Sequence, residues 1–387
     1  MEKTTPTDLV GIGTVASIHE VRAGEWNALA GADDFYQSHE WLAAVERDST
    51  AKSRYVLASL AGRLVGALPI YQVGFEGNPS YQAERLQALL GRKGSYLIAG
   101  ARRCYRSNVM LAPQLPAAAQ DQVTGALLRV ALAVAAQDDM SGVALFYLPT
   151  PALERIGRVV PVTASFDSAE TIMDGIGDGI DAYLSGLSSK RRSKIRREMR
   201  IFDATGWHTE VTRLADCLSE VASLVSKVEQ RHGRPTPDIL LRRVFRQQAE
   251  AADHRAVVFT CRDGAGDMVA CAVNYVWRDT LYSRAVGLDY DRVNGSFAYF
   301  NLLIFKAIEY AAEHGLDRLH LGLASAAKVE RGAVVSPLWT AAVDAGAAGR
   351  GPGIRLVNPG AMQRWSEPYR CYSHAFPART WPLPGAG

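Results

Sequence analysis

Residues 188–200, SSKRRSKIRREMR, hold seven cations (Lys190, Arg191, Arg192, Lys194, Arg196, Arg197, Arg200) against one acid, Glu198. The run is too basic for a buried helix, and Ser188 or Ser189 can cap it. With about 3.6 residues per turn, Lys190, Lys194 and Arg197 fall near one face with Arg191 at its border, while Ile195 and Met199 fall on the other side. Like charges at this spacing repel, and a polyanion laid along the face relieves the repulsion. The face reads either as solvated surface or as a dock for phosphates, whether of coenzyme A, a tRNA backbone or a nucleotide-linked substrate.

A second group follows a run of small residues. Lys328, Arg331 and Gly332 come after Ala324-Ser325-Ala326-Ala327, which allow close approach of a ligand. A lysine there can neutralise a phosphate or an oxyanion, or be one of two solvated loop cations. Asp289 and Tyr290 follow a predicted strand end, where α/β sheets expose binding groups. They also suit an Asx-turn and a packed ring. Tyr282 and Arg284 alternate on the strand leading there. His320 lies in an apolar strand pattern and reads as a satisfied core histidine, and His39 as a helix-start residue.

Composition bounds the rest. The chain has 387 residues, 48% hydrophobic and 21% charged, with a formal net charge of +3. That suits a soluble globular protein of two domains, with no general affinity for DNA. The five cysteines (Cys104, Cys217, Cys261, Cys271, Cys371) are scattered and form no C-x-x-C pair. They imply reduced thiols in a cytoplasmic protein, without a disulfide framework or a zinc site. The N-terminal MEKTTPTDLVGIGTV lacks the pattern of a signal peptide, and no apolar run is long enough to span a membrane. No metal site and no permanently bound cofactor are expected.

Residues 55–60 and 64–73 alternate as a hairpin around Ala61-Gly62-Arg63, with Pro69 suggesting an edge or a bulge. A loop-rich stretch with a basic spot at Arg102, Arg103 and Arg106 leads to a helix over 116–137 and a buried strand over 143–148. Prolines and glycines between 149 and 180 suggest the domain boundary there. After the basic helix come a strand at 207–211, helices at 215–231 and 238–251, and strands at 256–261, 269–277 and 280–288. A helix over 300–314, capped by Gly315, and a strand over 318–323 complete the pattern, and the tail from 349 reads as irregular. Each half thus repeats a hairpin, a loop, a helix and a strand, in the order of an α/β protein with mixed sheets. The predicted domains are 1–165 and 166–387, the second carrying the basic helix 188–200.

This order resembles the GNAT acyltransferase superfamily, and the duplication resembles its Fem-type branch, which transfers amino acids from aminoacyl-tRNA to a peptidoglycan precursor. The second half is similar to a bacterial group of GNAT-like peptidoglycan biosynthesis or recognition proteins. The resemblance is carried by Lys190-Arg191-Arg192 through Arg196-Arg197-Glu198, Arg231-His232-Gly233-Arg234-Pro235, FNLLIFKAIEYAAEHG at 300–315, and Lys328-Val329-Glu330-Arg331-Gly332. It implies two GNAT-like halves, each a mixed, mostly antiparallel sheet flanked by helices. Two features depart from the pattern. Polar positions of relatives between 318 and 327 are alanine and leucine here. The Q/R-x-x-G-x-G/A loop that binds coenzyme A pyrophosphate is replaced by DYDRVNGSFA at 289–298, with a single Gly295.

The activity implied is amide formation: a neutral amine attacks an activated acyl carbonyl directly, in a ternary complex. In that reaction Lys328 steadies the oxyanion or a phosphate, Asp289 serves as base and Tyr290 as proton donor. Arg191, Arg192, Lys194, Arg197 and Arg331 hold the donor phosphates. Tyr282 and Arg284 line the acyl cleft, and Arg234, through its motif, contacts the acceptor or a phosphate. The donor expected is aminoacyl-tRNA, as a co-substrate, and the acceptor an amine of a small metabolite or cell-wall precursor. An acyl-CoA or carrier-protein thioester donor, or a catalytically silent GNAT-like binding protein, stand as alternatives.

Overall fold

The computed structural model describes residues 10–82, 84–347, 350–377 and 381. Residues 1–9 of the stretch read for a leader, and the remainder of the tail, lie outside them. The strands are β1 (Gly11–Val15), β2 (Ala51–Leu60), β3 (Arg63–Val73), β4 (Tyr96–Ala99), β5 (Met110–Leu111), β6 (Gly142–Pro149) and β7 (Pro161–Asp174). They continue as β8 (His208–Thr212), β9 (Ala256–Arg262), β10 (Met268–Trp277), β11 (Thr280–Leu288), β12 (Arg318–Leu323), β13 (Val334–Asp344) and β14 (Gly353–Leu356).

The described chain divides into two compact units, one of residues 10–168 and 337–367, the other of 169–336 and 368–381. In the first unit β1, β2, β3 and β4 pair antiparallel in turn, and β4 runs parallel to β6. The crossover is helix Ala117–Gln137. In the second unit β8, β9, β10 and β11 pair antiparallel, and β11 runs parallel to β12. Here the crossover runs through Ala298–Phe300, a π-helical stretch Asn301–Phe305, and Lys306–Glu313. The duplicated order is the one that the resemblance to the GNAT superfamily implies.

Each sheet is then extended by a strand from later or earlier in the chain. β6 pairs antiparallel with β13, and β12 pairs antiparallel with the last residues of β7, Arg318 facing Asp174 and Leu323 facing Glu170. A single cut near 165 therefore misplaces residues 337–367, which belong with the first unit because β13 hydrogen-bonds to β6.

Local chemistry explains most element boundaries. The β2–β3 hairpin closes with Leu60 opposite Arg63, and Ala61 (φ 48) and Gly62 (φ 75) both sit left-handed, as a two-residue hairpin turn requires. Pro69 lies inside β3, opposite Tyr55, rather than on an edge. On the other side of β3, β5 pairs at Gly66–Ala67 and β4 at Ile70–Tyr71, so the ladder has a gap at Pro69. The stretch expected to hold the domain boundary carries helix Thr150–Val159 and the long strand β7. Pro149 caps that helix, Pro151 sits in its first turn and Pro161 opens the strand, positions where a missing N–H does no harm. The tail contains β14 and helix Ala361–Ser366.

The basic spot of the first unit is an internal ion cluster. Arg102, 3% exposed, meets Asp48 at 3.3 Å and Glu76 at 3.1 Å, and Arg103 reaches the same two acids. The core of the second unit joins Leu302–Phe305 and Ile308 to the sheet and takes Ile195 and Phe202 from the basic helix. Gly287 lets helix Leu214–Arg231 lie against β11, since a Cβ there would stand 2.6 Å from Leu224 Cβ, 2.7 Å from Cys271 Sγ and 3.0 Å from the Val225 nitrogen. Gly287→Ala is expected to lower stability by about 1–3 kcal/mol, read as a fall in the urea midpoint; an unchanged midpoint would mean the helix can shift.

Candidate functional site

β11 and β12 pair only from Thr280–Arg318 to Tyr282–His320, although β11 runs on to Leu288 and β12 to Leu323. Two parallel neighbours that stop pairing part company at their carboxyl ends, where α/β folds place ligands. Buried polar groups sit at the point of parting. The His320 ring stacks on Tyr282 with centroids 4.9 Å apart. Its Nε2 lies 3.0 Å from Glu170 Oε2, and its Nδ1 accepts the Gly322 N–H at 3.2 Å. That acceptance puts the ring proton on Nε2, which donates to Glu170. Both ring nitrogens are engaged, as the reading of a core histidine expects. Tyr282 is fully buried against this ring, so it braces the opening from within rather than lining an accessible cleft. Arg284 is half-buried. Glu170 lies in the stretch where the domain boundary is expected; on β7 it shares a face with Val162, Ala164, Phe166 and Ile172, but Asp167 and Asp174 on the same strand leave it unmarked by pattern.

Lys328 rides on a short helix, Ala326–Glu330, immediately after β12. Its Nζ donates to the carbonyls of Leu321 at 2.6 Å and Leu323 at 2.7 Å. An ammonium has three N–H bonds, so one remains for a ligand. Burial lowers its pKa from the ordinary value to about 8.

The basic helix, Ser189–Asp203, clips onto this segment. Arg331, 4% exposed, grips Glu198 with two hydrogen bonds, Nη2 to Oε1 at 2.7 Å and Nε to Oε2 at 3.1 Å. It also donates to the Ala327 carbonyl at 2.9 Å and lies over the Phe300 ring at 3.1 Å. Arg191 donates to the carbonyls of Glu330 at 2.9 Å and Val329 at 3.0 Å, and Lys194 pairs with the Glu330 carboxylate. The Tyr183 hydroxyl donates to the Arg331 carbonyl at 2.7 Å.

The inward stripe is therefore Arg191, Lys194, Ile195, Glu198 and Phe202. Lys194 stays exposed at the rim of this stripe and reaches across to the Glu330 carboxylate. Arg331, expected at a donor phosphate, instead holds the Lys328 segment to the basic helix. Lys190, Arg196, Arg197 and Arg200 point outward and exposed, with Arg192 half-buried.

After β11, Asp289 accepts from Lys227 Nζ at 2.7 Å. Tyr290 lies under the Arg231 guanidinium, 4.2 Å from ring centre to Cζ. Burial raises the Tyr290 pKa, against the pull of Arg231, so the phenol stays protonated at neutral pH. Arg231, Tyr290, Asp291 and Asn294 line a depression of about 290 Å³. The loop beyond turns its donors inward. Ala298 N–H meets Ser296 Oγ at 3.2 Å, and the Phe300 and Asn301 N–H groups both return to the Phe297 carbonyl at 3.1 Å. Arg234 is taken by Glu229, Nε to Oε2 at 2.8 Å, at the end of its own helix. Lys328, Arg331, Arg191 and Lys194 thus converge, whereas no direct contact joins them to Asp289, Tyr290 or Arg234. Among the described residues no cluster suits a metal ion, and no helix is long and apolar enough to cross a membrane.

Residues 109–346 match the model of the FemAB-like family, described as peptidoglycan biosynthesis/recognition. The match spans more than half of the chain, which belongs to this FemAB-like family. Its fold is similar to the crystal structure of FemX at 14% identity and a TM-score of 0.59, over 83% of this chain and 96% of that one. A conserved protein from Bacteroides thetaiotaomicron VPI-5482 follows at 12% identity and 0.53, over 84% and 98%. The C-terminal domain of a putative lysylphosphatidylglycerol synthetase from Agrobacterium fabrum gives 13% and 0.51, over 84% and 92%. No curated protein sequence matches the chain.

Proposed function

We propose that the protein transfers an aminoacyl group from aminoacyl-tRNA to an amine of a small metabolite or cell-wall precursor, by direct attack in a ternary complex. The observation that carries this reading is the two-faced basic helix. Its outer face offers Lys190, Arg196, Arg197 and Arg200 to a polyanion, while its inner face holds the segment bearing Lys328. In this reading the outer cations, with Arg192, take the donor backbone. The remaining N–H of Lys328 meets the carbonyl oxygen as it becomes an oxyanion. Tyr290, kept protonated, gives a proton to the leaving hydroxyl, and Asp289 takes one from the amine. Arg284 and Arg234 flank the substrates.

The closed loop at 296–301 weighs against coenzyme A. A pyrophosphate needs open backbone N–H groups at a helix start, and those of Ala298, Phe300 and Asn301 are already bonded. The test is titration of labelled total aminoacyl-tRNA into the full chain at two salt concentrations. Arg196→Glu with Arg197→Glu is expected to weaken binding by about 10²-fold or more at low salt and to flatten the salt dependence. Equal binding by the variant and the wild type, or tight binding of acetyl-CoA instead, would overturn the reading.

A further inference from the structure

Glu330 is the one acid on the Lys328 segment, and it stands among cations. Lys194 pairs with its carboxylate directly, and Arg331 Nη1 lies 3.8 Å from its Oε2. Arg191 is bonded to its backbone carbonyl and adds a third positive charge nearby. These surroundings hold the Glu330 carboxyl below its ordinary range, the Lys194 hydrogen bond first among the causes. The Lys194 side chain is 50% exposed and that of Glu330 34%, so water and ligands reach the pair.

We propose that Lys194 and Arg191, with the buried charge of Arg331 behind them, form a phosphate subsite whose resident occupant is the carboxylate of Glu330, which a phosphodiester of the donor displaces. The proposal rests on the polyanion-donor reading above and adds to it a place for one phosphate and a gate on that place. Two of the three cations are fixed whether or not Glu330 stays. Arg331 is anchored by Glu198 and the Ala327 carbonyl, and Arg191 by the backbone of Val329 and Glu330. Only the Glu330 side chain and Lys194 have to move. An exposed ion pair of this kind contributes little to the fold, so exchange for a more highly charged anion meets small resistance. The carboxylate also repels any polyanion approaching the basic helix, and so keeps weak or misplaced anions out. Lys328 and Glu330 share the helix Ala326–Glu330, so the exchange takes place on the segment that carries the amine.

The experiment compares wild type, Glu330→Gln and Glu330→Ala for binding of labelled total tRNA and, separately, of inorganic tripolyphosphate followed by thermal shift. Glu330→Gln is expected to bind tRNA about 5-fold more tightly near 0.1 M salt, with the log–log salt slope unchanged, because the same phosphates are contacted once Glu330 is displaced. Adding Lys194→Gln should remove the gain. Tripolyphosphate should raise the melting temperature of Glu330→Gln more than that of the wild type. If tRNA binds neither protein while the tripolyphosphate difference remains, the subsite stands and the tRNA reading falls. If Glu330→Gln and Glu330→Ala bind both probes no better than wild type, the subsite is overturned.

Discussion

Lys328→Ala is expected to lower the rate of acyl transfer by about 10²–10³-fold, the loss typical of a single donor aimed at a developing oxyanion. Nζ is held by two β12 carbonyls at 2.6 and 2.7 Å, so the ammonium is positioned before substrate arrives and has one N–H to offer. The effect should fall on kcat more than on KM, because a donor that matches the oxyanion is used in the transition state. The pH dependence gives an independent signature. The ammonium is the active form and its pKa is lowered to about 8. The rate should therefore be sustained below that value and decline as pH rises through it. Lys328→Arg keeps its charge throughout this range and should lose that limb, whatever rate it retains. Measurement follows consumption of radiolabelled aminoacyl-tRNA, the proposed donor, from pH 6 to 10. An alanine variant with more than half the wild-type rate would remove Lys328 from the chemistry.

Glu198→Gln should destabilise the second unit by about 3–5 kcal/mol, since it leaves a buried guanidinium without its counter-charge. Both members are almost fully buried, Glu198 at 2% and Arg331 at 4% exposure, and the pair is joined by two hydrogen bonds. Arg331→Ala should do similar damage from the other side and also lose the stacking on Phe300. The double replacement Glu198→Leu with Arg331→Met removes both charges and should recover most of the stability, because apolar groups of similar volume often replace a buried pair without loss. Urea denaturation of the four proteins checks this. If the double variant is as unstable as the worse single one, the ion pair is not the source of the loss. If Glu198→Gln unfolds at the wild-type midpoint, the pair is not buried in solution as it is here.

Residues 256–262 and 268–277 are short apolar runs parted by Asp263-Gly264-Ala265-Gly266-Asp267, so their strands, and the hairpin between them, are legible from local pattern alone. So are the crossover helices, the duplication, and a basic helix beginning at Ser189. Pro149, Pro151 and Pro161 read as turn signals over 149–180, whereas each occupies an end of an element, where proline is at home. That reading hid β7 and with it Glu170.

By itself the sequence determined the kind and order of most elements, the family resemblance, and the presence of a cationic helix near a lysine that follows small residues. Periodicity and turn chemistry act over a few residues, so these features are written locally. Only the tertiary structure decided which cations are available. Arg331 meets an acid 133 positions away, and His320 one 150 away. Nothing in the local pattern marks such partners. Seven like charges in a row look equivalent as a string, but the packing of Ile195 and Phe202 into the core orients the helix. That orientation turns Arg191 and Lys194 toward the Lys328 segment and leaves Lys190, Arg196, Arg197 and Arg200 facing water.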